Sequence, residues 1–174
     1  MKLARNLAAL LLTATAWLCA AAEPEYAVVD GDALRSYWVA AGKHSGPSYP
    51  RSLFVKGIES CVALGFSIDA DGKTENITVL RTVTNKPNEK DAIAKFHAAA
   101  VQAAAQWRYE PAAENAARKP VYTYVTLSES FSPTNVTKEA AMKHAHEVDD
   151  ACRIADFAAA VARGDFVQKR NPSP

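Results

Sequence analysis

Alternation of apolar and polar positions is clearest between Cys61 and Leu80. Val62, Leu64, Phe66 and Ile68 fall on one side of a period-two repeat, and Cys61, Ala63, Gly65 and Ser67 on the other, which predicts a β-strand. After Asp71-Gly72 the alternation resumes, with Ile77 and Val79 opposed to Thr78 and Leu80. Two such runs around an Asp-Gly pair predict a tight β-hairpin with a solvent-exposed polar tip. The acids of this tip also suggest a calcium loop, but the spacing is wrong. An EF-hand loop needs glycine at its sixth position and glutamate at its twelfth. Counted from Asp69, glycine is fourth and the twelfth residue is Leu80. A third alternating run sets Val121, Thr123, Val125 and Leu127 against Tyr122, Tyr124 and Thr126. It predicts a strand from Val121 to about Phe131.

Helical spacing fills the intervals. Asp30 to Ala41 reads as a short helix, with Asp30 or Asp32 able to cap its first turn. Tyr49-Pro50 opens a second helical turn through Val55, closed by Gly57 in the position of a helix C-terminal glycine. A longer helix is predicted from Glu89 to Trp107, with the stripe Ile93, Phe96, Ala100, Ala104 and Trp107. His97 lies beside that stripe and is expected to pack there, partly buried, rather than to act as a ligand. Pro111 ends the run. Beyond Ser132-Pro133, Thr137 to Arg163 predicts helix in one or two pieces. Its stripe is Ala141, Ala145, Val148, Cys152, Ala155, Ala159 and Ala162. Nearly all of these side chains are small, and so is the strand face holding Cys61, Ala63, Gly65 and Ser67.

Composition narrows the classes. The 174 residues carry 20 lysines and arginines against 19 acids, so no basic stripe recruits nucleic acid. The chain opens with a basic segment carrying Lys2 and Arg5, an apolar run from Leu7 to Leu18, and Ala20-Ala21-Ala22 before Glu23-Pro24. The apolar length of about 16 residues is short of the about 20 that span a bilayer. The segment is expected to be a cleaved export signal over residues 1–22, with an uncleaved anchor as the alternative. Leu18 before Cys19 is wrong for lipoprotein processing. Cleavage leaves Cys61 and Cys152, and export to an oxidising compartment makes them a disulfide candidate, two buried thiols being the alternative.

The order of the pieces resembles the TonB C-terminal domain family. The matching features are Tyr49-Pro50 with Gly57 seven residues on, the strand Val62 to Asp69 with its Asp71-Gly72 turn, the helix ending Trp107-Arg108-Tyr109-Glu110-Pro111, and the strand closing at Phe131. The resemblance implies an α+β fold of two helices on a three-stranded antiparallel sheet, to which this chain adds a C-terminal helical segment. It also implies a periplasmic module that grips an extended segment of a partner protein by adding it to a sheet edge. An outer-membrane TonB-dependent receptor is one candidate partner. The edge would be the last strand, Val121, Tyr122, Thr123, Tyr124, Val125, Thr126 and Leu127. Tyr122 and Tyr124 would either flank the incoming peptide or simply cover the sheet or meet the C-terminal helix. A further expectation is that Cys61–Cys152 staples that helix across the small-residue face.

The departures from the family pattern matter too. None of His44, His97, His144 and His146 lies in the apolar N-terminus, where a transducer carries a polar handle. The nine prolines are scattered rather than gathered into a stiff arm. The roughly 25 residues between signal and domain extend to about 90 Å at most. Gly46 stands where glutamine often precedes the Pro-x-Tyr-Pro motif. The expectation is a stand-alone exported module with an N-terminal segment over 23–46, a TonB-like domain over 47–132 and a helical extension over 133–174. The alternative is an envelope scaffold that binds through its C-terminal helix.

Enzymatic chemistry is not expected. There is no Gly-x-Ser-x-Gly or Cys-His nucleophile pattern, and the acids are scattered. No cofactor is implied. His144 and His146 point about 200° apart on a helix; His146 and Asp150, four apart, converge but read as a solvated contact rather than a metal site.

Overall fold

A computed structural model of the chain describes residues 26–131 and 135–166. The export signal, Cys19 and the Ser132-Pro133 boundary lie outside the described residues. Among the described residues no helix is long and apolar enough to cross a membrane.

In chain order the strands are β1 (Ala27–Val28), β2 (Trp38–Ala40), β3 (Ser60–Ile68), β4 (Thr74–Thr84), β5 (Tyr109–Pro111) and β6 (Val121–Glu129). The α-helices are α1 (Arg51–Val55), α2 (Lys90–Ala104), α3 (Lys138–Asp150) and α4 (Phe157–Ala162). The main sheet is four-stranded, in the order β1-β6-β3-β4, and β2 and β5 form a separate antiparallel pair. The expected three antiparallel strands are therefore present, but a fourth, β1, joins in parallel on the far side of β6. This corrects the three-stranded expectation. Its two residues are too short a run for periodicity to reveal.

β3 is the centre of the molecule, and all nine of its residues are buried. Its two faces serve two cores. Val62, Leu64, Phe66 and Ile68 join Phe96, Ala100 and Trp107 in the first. Cys61 and Ala63 join Tyr122, Cys152, Ile154 and Phe157 in the second. The small residues on the second face let the C-terminal segment lie close. Gly65 shows how close: a Cβ there would stand 2.6 Å from the Tyr122 hydroxyl and 2.8 Å from a Leu80 methyl.

The β3–β4 hairpin closes as its sequence predicts, and Asp69 explains why. Its Oδ1 accepts the Asp71 and Lys73 amides at 2.9 and 2.8 Å, so the carboxylate shapes the turn. The tip is not wholly in solvent, however. Gly72 (φ +78°) lies under β5, where a Cβ would stand 2.0 Å from the Tyr109 carbonyl oxygen. Glycine serves there both for its conformation and for the close approach.

Asp30 to Ala41 is not a helix. It forms one 3-10 turn at Ala33–Ser36 and then β2. Trp38 decides the outcome: it is buried to 1 % exposure and its indole N–H donates to the Lys119 carbonyl at 3.1 Å. Pairing with β5 prevails over local helix propensity. The C-terminal helix is broken in two. The stripe holds from Ala141 to Cys152; then Asp156, in the left-handed region (φ +49°), restarts the chain as the cap of α4. The reset buries Ile154, Phe157 and Ala160 and leaves Ala155 and Ala162 exposed. His97 packs half-buried against the Thr82 hydroxyl at 2.8 Å, where burial lowers its pKa.

Candidate strand-docking edge

β6 pairs with β3 along its whole length, in an unbroken register from Val121↔Ile68 to Glu129↔Ser60. Its other edge is only partly filled. The Val29 amide donates to the Tyr122 carbonyl at 3.0 Å and the Ala27 amide to the Pro120 carbonyl at 3.1 Å. Backbone groups of alternate residues point to the same side of a strand. Tyr124, Thr126 and Ser128 therefore present their N–H and C=O groups outward, as Tyr122 does. Among the described residues no backbone hydrogen bond meets them on that side. Burial follows the same division: Val121, Tyr122 and Thr123 are buried, while Tyr124 to Glu129 are half-buried.

Beside this edge opens a cleft of about 480 Å3. Tyr124, Val125 and Thr126 form one wall, Asp30, Gly31 and Asp32 another, and Asp149, Arg153 and Asp156 a third. Acids outnumber the single arginine, and that arginine is engaged, its Nε and Nη2 donating to Asp150 Oδ1 at 3.1 and 2.9 Å. The Asp150 carboxylate set beside His146 in the sequence is thus held by Arg153. Among the described residues no group of three or more His, Cys, Asp or Glu side chains gathers as a metal site.

The side chains of the expected edge divide between the two cores. Val121, Val125 and Leu127 belong to the first, Tyr122 and Tyr124 to the second. Thr123 is buried with its hydroxyl unpartnered. The two tyrosines meet the C-terminal segment. Tyr122 is 2 % exposed. The Tyr124 hydroxyl donates to the Ile154 carbonyl at 3.0 Å, and its ring lies 4.9 Å from that of Phe157. Burial pushes the Tyr122 phenol pKa up. What the strand leaves open to a partner is mostly backbone.

Below the edge, further attachments fix α3 and the turn after it to the sheet. Cys61 and Cys152 are joined as a disulfide, the Ser128 hydroxyl donates to Asp149 Oδ1 at 3.1 Å, and His144 Nε2 meets Glu59 Oε1 at 2.7 Å. The same Glu59 oxygen accepts the Phe131 amide at 2.9 Å. Burial opposes ionisation of Glu59, but the bonds from His144 and the Phe131 amide, with the His144 charge, more than offset it, and its pKa falls. His144 is raised by the hydrogen bond to Glu59 and then by that carboxylate's charge. Nearby, burial raises the Glu129 pKa. Tyr49, whose hydroxyl donates to the Ile58 carbonyl, is pushed up to about 12 by burial and by the Glu129 and Glu59 charges.

β4 forms the opposite edge of the sheet, and it is less suited to an added strand. Its pairing with β3 is interrupted twice, between Ala63 and Leu64 and between Gly65 and Ser67, and Asn76 is left-handed (φ +52°). Irregularities of this kind turn an edge away from new partners. β6 has none.

Sequence reasoning located the strand but missed β1 and the acidic cleft walls. Ala27-Val28-Val29 before Asp30-Gly31 carries a strand signal, but one far shorter than the runs that set the reading. The cleft acids come from three separate segments and share no spacing.

Fold and edge together describe a small α+β protein-interaction module. Residues 45–133 match the family described as Gram-negative bacterial TonB protein C-terminal, just over half of the 174 residues, and the chain belongs to that family. Over 65 residues it is 37% identical to Protein TonB of Pseudomonas aeruginosa, a stretch that covers 37% of this chain and 17% of that protein. The chain therefore matches only a small part of that relative's length. The solution NMR structure of the Pseudomonas aeruginosa TonB CTD aligns with a TM-score of 0.41 and 27% identity, over 59% of this chain and 92% of that one. The NMR structure of the Helicobacter pylori TonB-CTD aligns with a TM-score of 0.31 and 24% identity, over 50% and 71%.

Proposed function

We propose that the chain is an exported periplasmic module that binds an extended segment of a partner protein along the outer edge of β6. The observation that carries this reading is the row of outward backbone groups at Tyr124, Thr126 and Ser128, on a strand whose preceding rung already accepts a strand. Main-chain hydrogen bonds then supply the affinity, and the cleft beside Tyr124 to Thr126 receives side chains. Membership of the TonB C-terminal family supports a transport-type interaction, with an outer-membrane TonB-dependent receptor as the candidate partner. The N-terminal pattern of Lys2, Arg5, an apolar run and small residues before Glu23 supports export and signal cleavage. The division into signal 1–22, segment 23–46, module 47–132 and extension 133–174 belongs to this proposal.

Thr126→Pro is the direct test. Proline removes an outward donor without touching the β3 ladder, and it obstructs an added strand. A photo-crosslinking residue at Thr126 or Ser128 should capture the partner in cells, and Thr126→Pro should abolish that capture. Undiminished capture in the proline variant rejects edge binding. Tyr122 and Tyr124 are poor crosslinking positions because both lie under the C-terminal segment.

One observation favours a second reading, a scaffold that binds through α3. Met142 on that helix is 53 % exposed. Met142→Asp distinguishes the two, since it should remove partner capture in this reading and leave it intact in the first.

A further inference from the structure

The open part of the β6 edge begins where the chain's own N-terminal segment leaves it. β1 runs parallel to β6 with Ala27 opposite Val121 and Val28 opposite Tyr122. At Asp30 the segment turns off the sheet, the Ala33 and Leu34 amides both donating to the Asp30 carbonyl at 3.0 and 3.1 Å. Asp30 also hitches the segment sideways: its Oδ1 accepts the Phe157 amide of α4 at 3.0 Å. α4 is in turn held near the sheet by the Cys61–Cys152 bond. Gly31 then passes so near the edge that a Cβ there would stand 3.2 Å from the Tyr124 carbonyl oxygen.

Of the four outward rungs at Tyr122, Tyr124, Thr126 and Ser128, this segment fills the first and crowds the second. Among the described residues no backbone hydrogen bond occupies the outward groups of Thr126 and Ser128. Two rungs are few for a stable added strand, since each inter-strand hydrogen bond gains little net free energy in water. We propose that residues 27–31 are an intramolecular strap that competes with the partner strand for the β6 edge, and that full engagement requires the strap to peel away. This rests on the edge-binding reading given above.

The attachment suits such a role. The strap is held by the short run of backbone hydrogen bonds between β1, Val29 and β6 with its flank, by one carboxylate hitch and, within residues 27–31, by a single well-buried side chain, Val29. None of the β3–β4 or β3–β6 pairing depends on it. A closed strap lowers the apparent affinity for any competing strand by the fraction of molecules that are open.

The test uses the full chain and a dye-labelled synthetic peptide of residues 24–31, the strap's own sequence, as the probe strand. Ala27→Pro removes the donor to Pro120 and Asp30→Ala removes the hitch; the pair opens the strap, and Asp30→Ala alone is the milder variant. Amide exchange should quicken at Val29 and Tyr122 and stay unchanged in the β3–β4 hairpin, which establishes that the fold is retained. The opened chain is expected to bind the probe about tenfold more tightly than the native chain. Adding Thr126→Pro to the opened chain should weaken binding again. Equal affinity of native and opened chains overturns the strap and leaves edge binding standing. Tighter binding that ignores Thr126→Pro confines the probe to the strap's own slot and overturns edge binding. No binding to an opened chain whose exchange has quickened overturns both.

Discussion

The two faces of β3 solve the same burial problem in different ways. The first face offers Val62, Leu64, Phe66 and Ile68 to a helix that returns Phe96 and Ala100, with Trp107 just beyond its end. Each large side chain removes substantial apolar surface from water, roughly 1.5–3 kcal/mol apiece. The second face offers Cys61, Ala63, Gly65 and Ser67, and its covering helix α3 has no fully buried residue. A thin interface of that kind holds poorly by area alone. The chain supplements it with the disulfide, with Phe157 wedged against Tyr122 and Tyr124, and with polar hitches from Asp149 and His144. The first face holds by packing, the second by attachment.

Removing the strongest attachment should test that contrast most severely. Cys61→Ala with Cys152→Ala opens a loop whose ends are 91 residues apart in sequence. Chain-entropy arguments put the loss at about 4.5 kcal/mol. Urea denaturation gives the magnitude, and amide exchange should show α3 and α4 loosening well before α2. Uniform loosening would mean that the two faces are not separable. Phe96→Ala is the converse: Phe96 is fully buried, the expected cost is about 3–5 kcal/mol, and the loss should be global rather than confined to one segment. Gly65→Ala comes next. Its new methyl meets the Tyr122 hydroxyl and Leu80, and overpacking costs about 1–3 kcal/mol. Leu80→Ala in the same background should recover part of that loss. If it recovers none, the closeness of the second face is not what makes position 65 glycine.

How far the sequence foretold these faces follows from how each is held. The first face was legible because large apolar residues repeat at strand and helix periods, as in Val62 to Ile68 and Phe96 to Ala104. The hairpin was legible through Asp71-Gly72, although only the structure places Gly72 beneath Tyr109. The small stripe of the C-terminal helix pointed correctly to the second face as far as Cys152. It failed at Asp156, because a left-handed residue resets the register and no periodicity announces one. The 3-10 turn and β2 were read as one helix because Trp38's partner, the Lys119 carbonyl, lies 81 residues away. β6 was found as a strand, but its value as a site depends on which backbone groups are left unpaired, and that is a property of neighbours such as Ala27 and Val29, not of its own residues.

The weakest of the attachments yields the smallest effect, with a definite sign. Glu59 has a lowered pKa in the fold, so its contribution is present above its unfolded value and lost as the pH falls through the folded one. His144 has a raised pKa, so its contribution is present below its unfolded value and lost as the pH rises through the folded one. The Glu59–His144 contact is therefore strongest in the mildly acidic window between ordinary carboxylate and ordinary histidine titration. The His144 side chain is 38 % exposed, so solvent screens the pair and the change in global stability should be slight. Local exchange is the sensitive measure. Protection of the α3 amides around His144 should decline as the pH rises through the histidine range, after correction for intrinsic exchange, while protection in α2 holds. His144→Gln should flatten that decline. A decline that persists in the variant would assign it to another group near the sheet end, of which Glu129, raised by burial, is the nearest titrating candidate on β6.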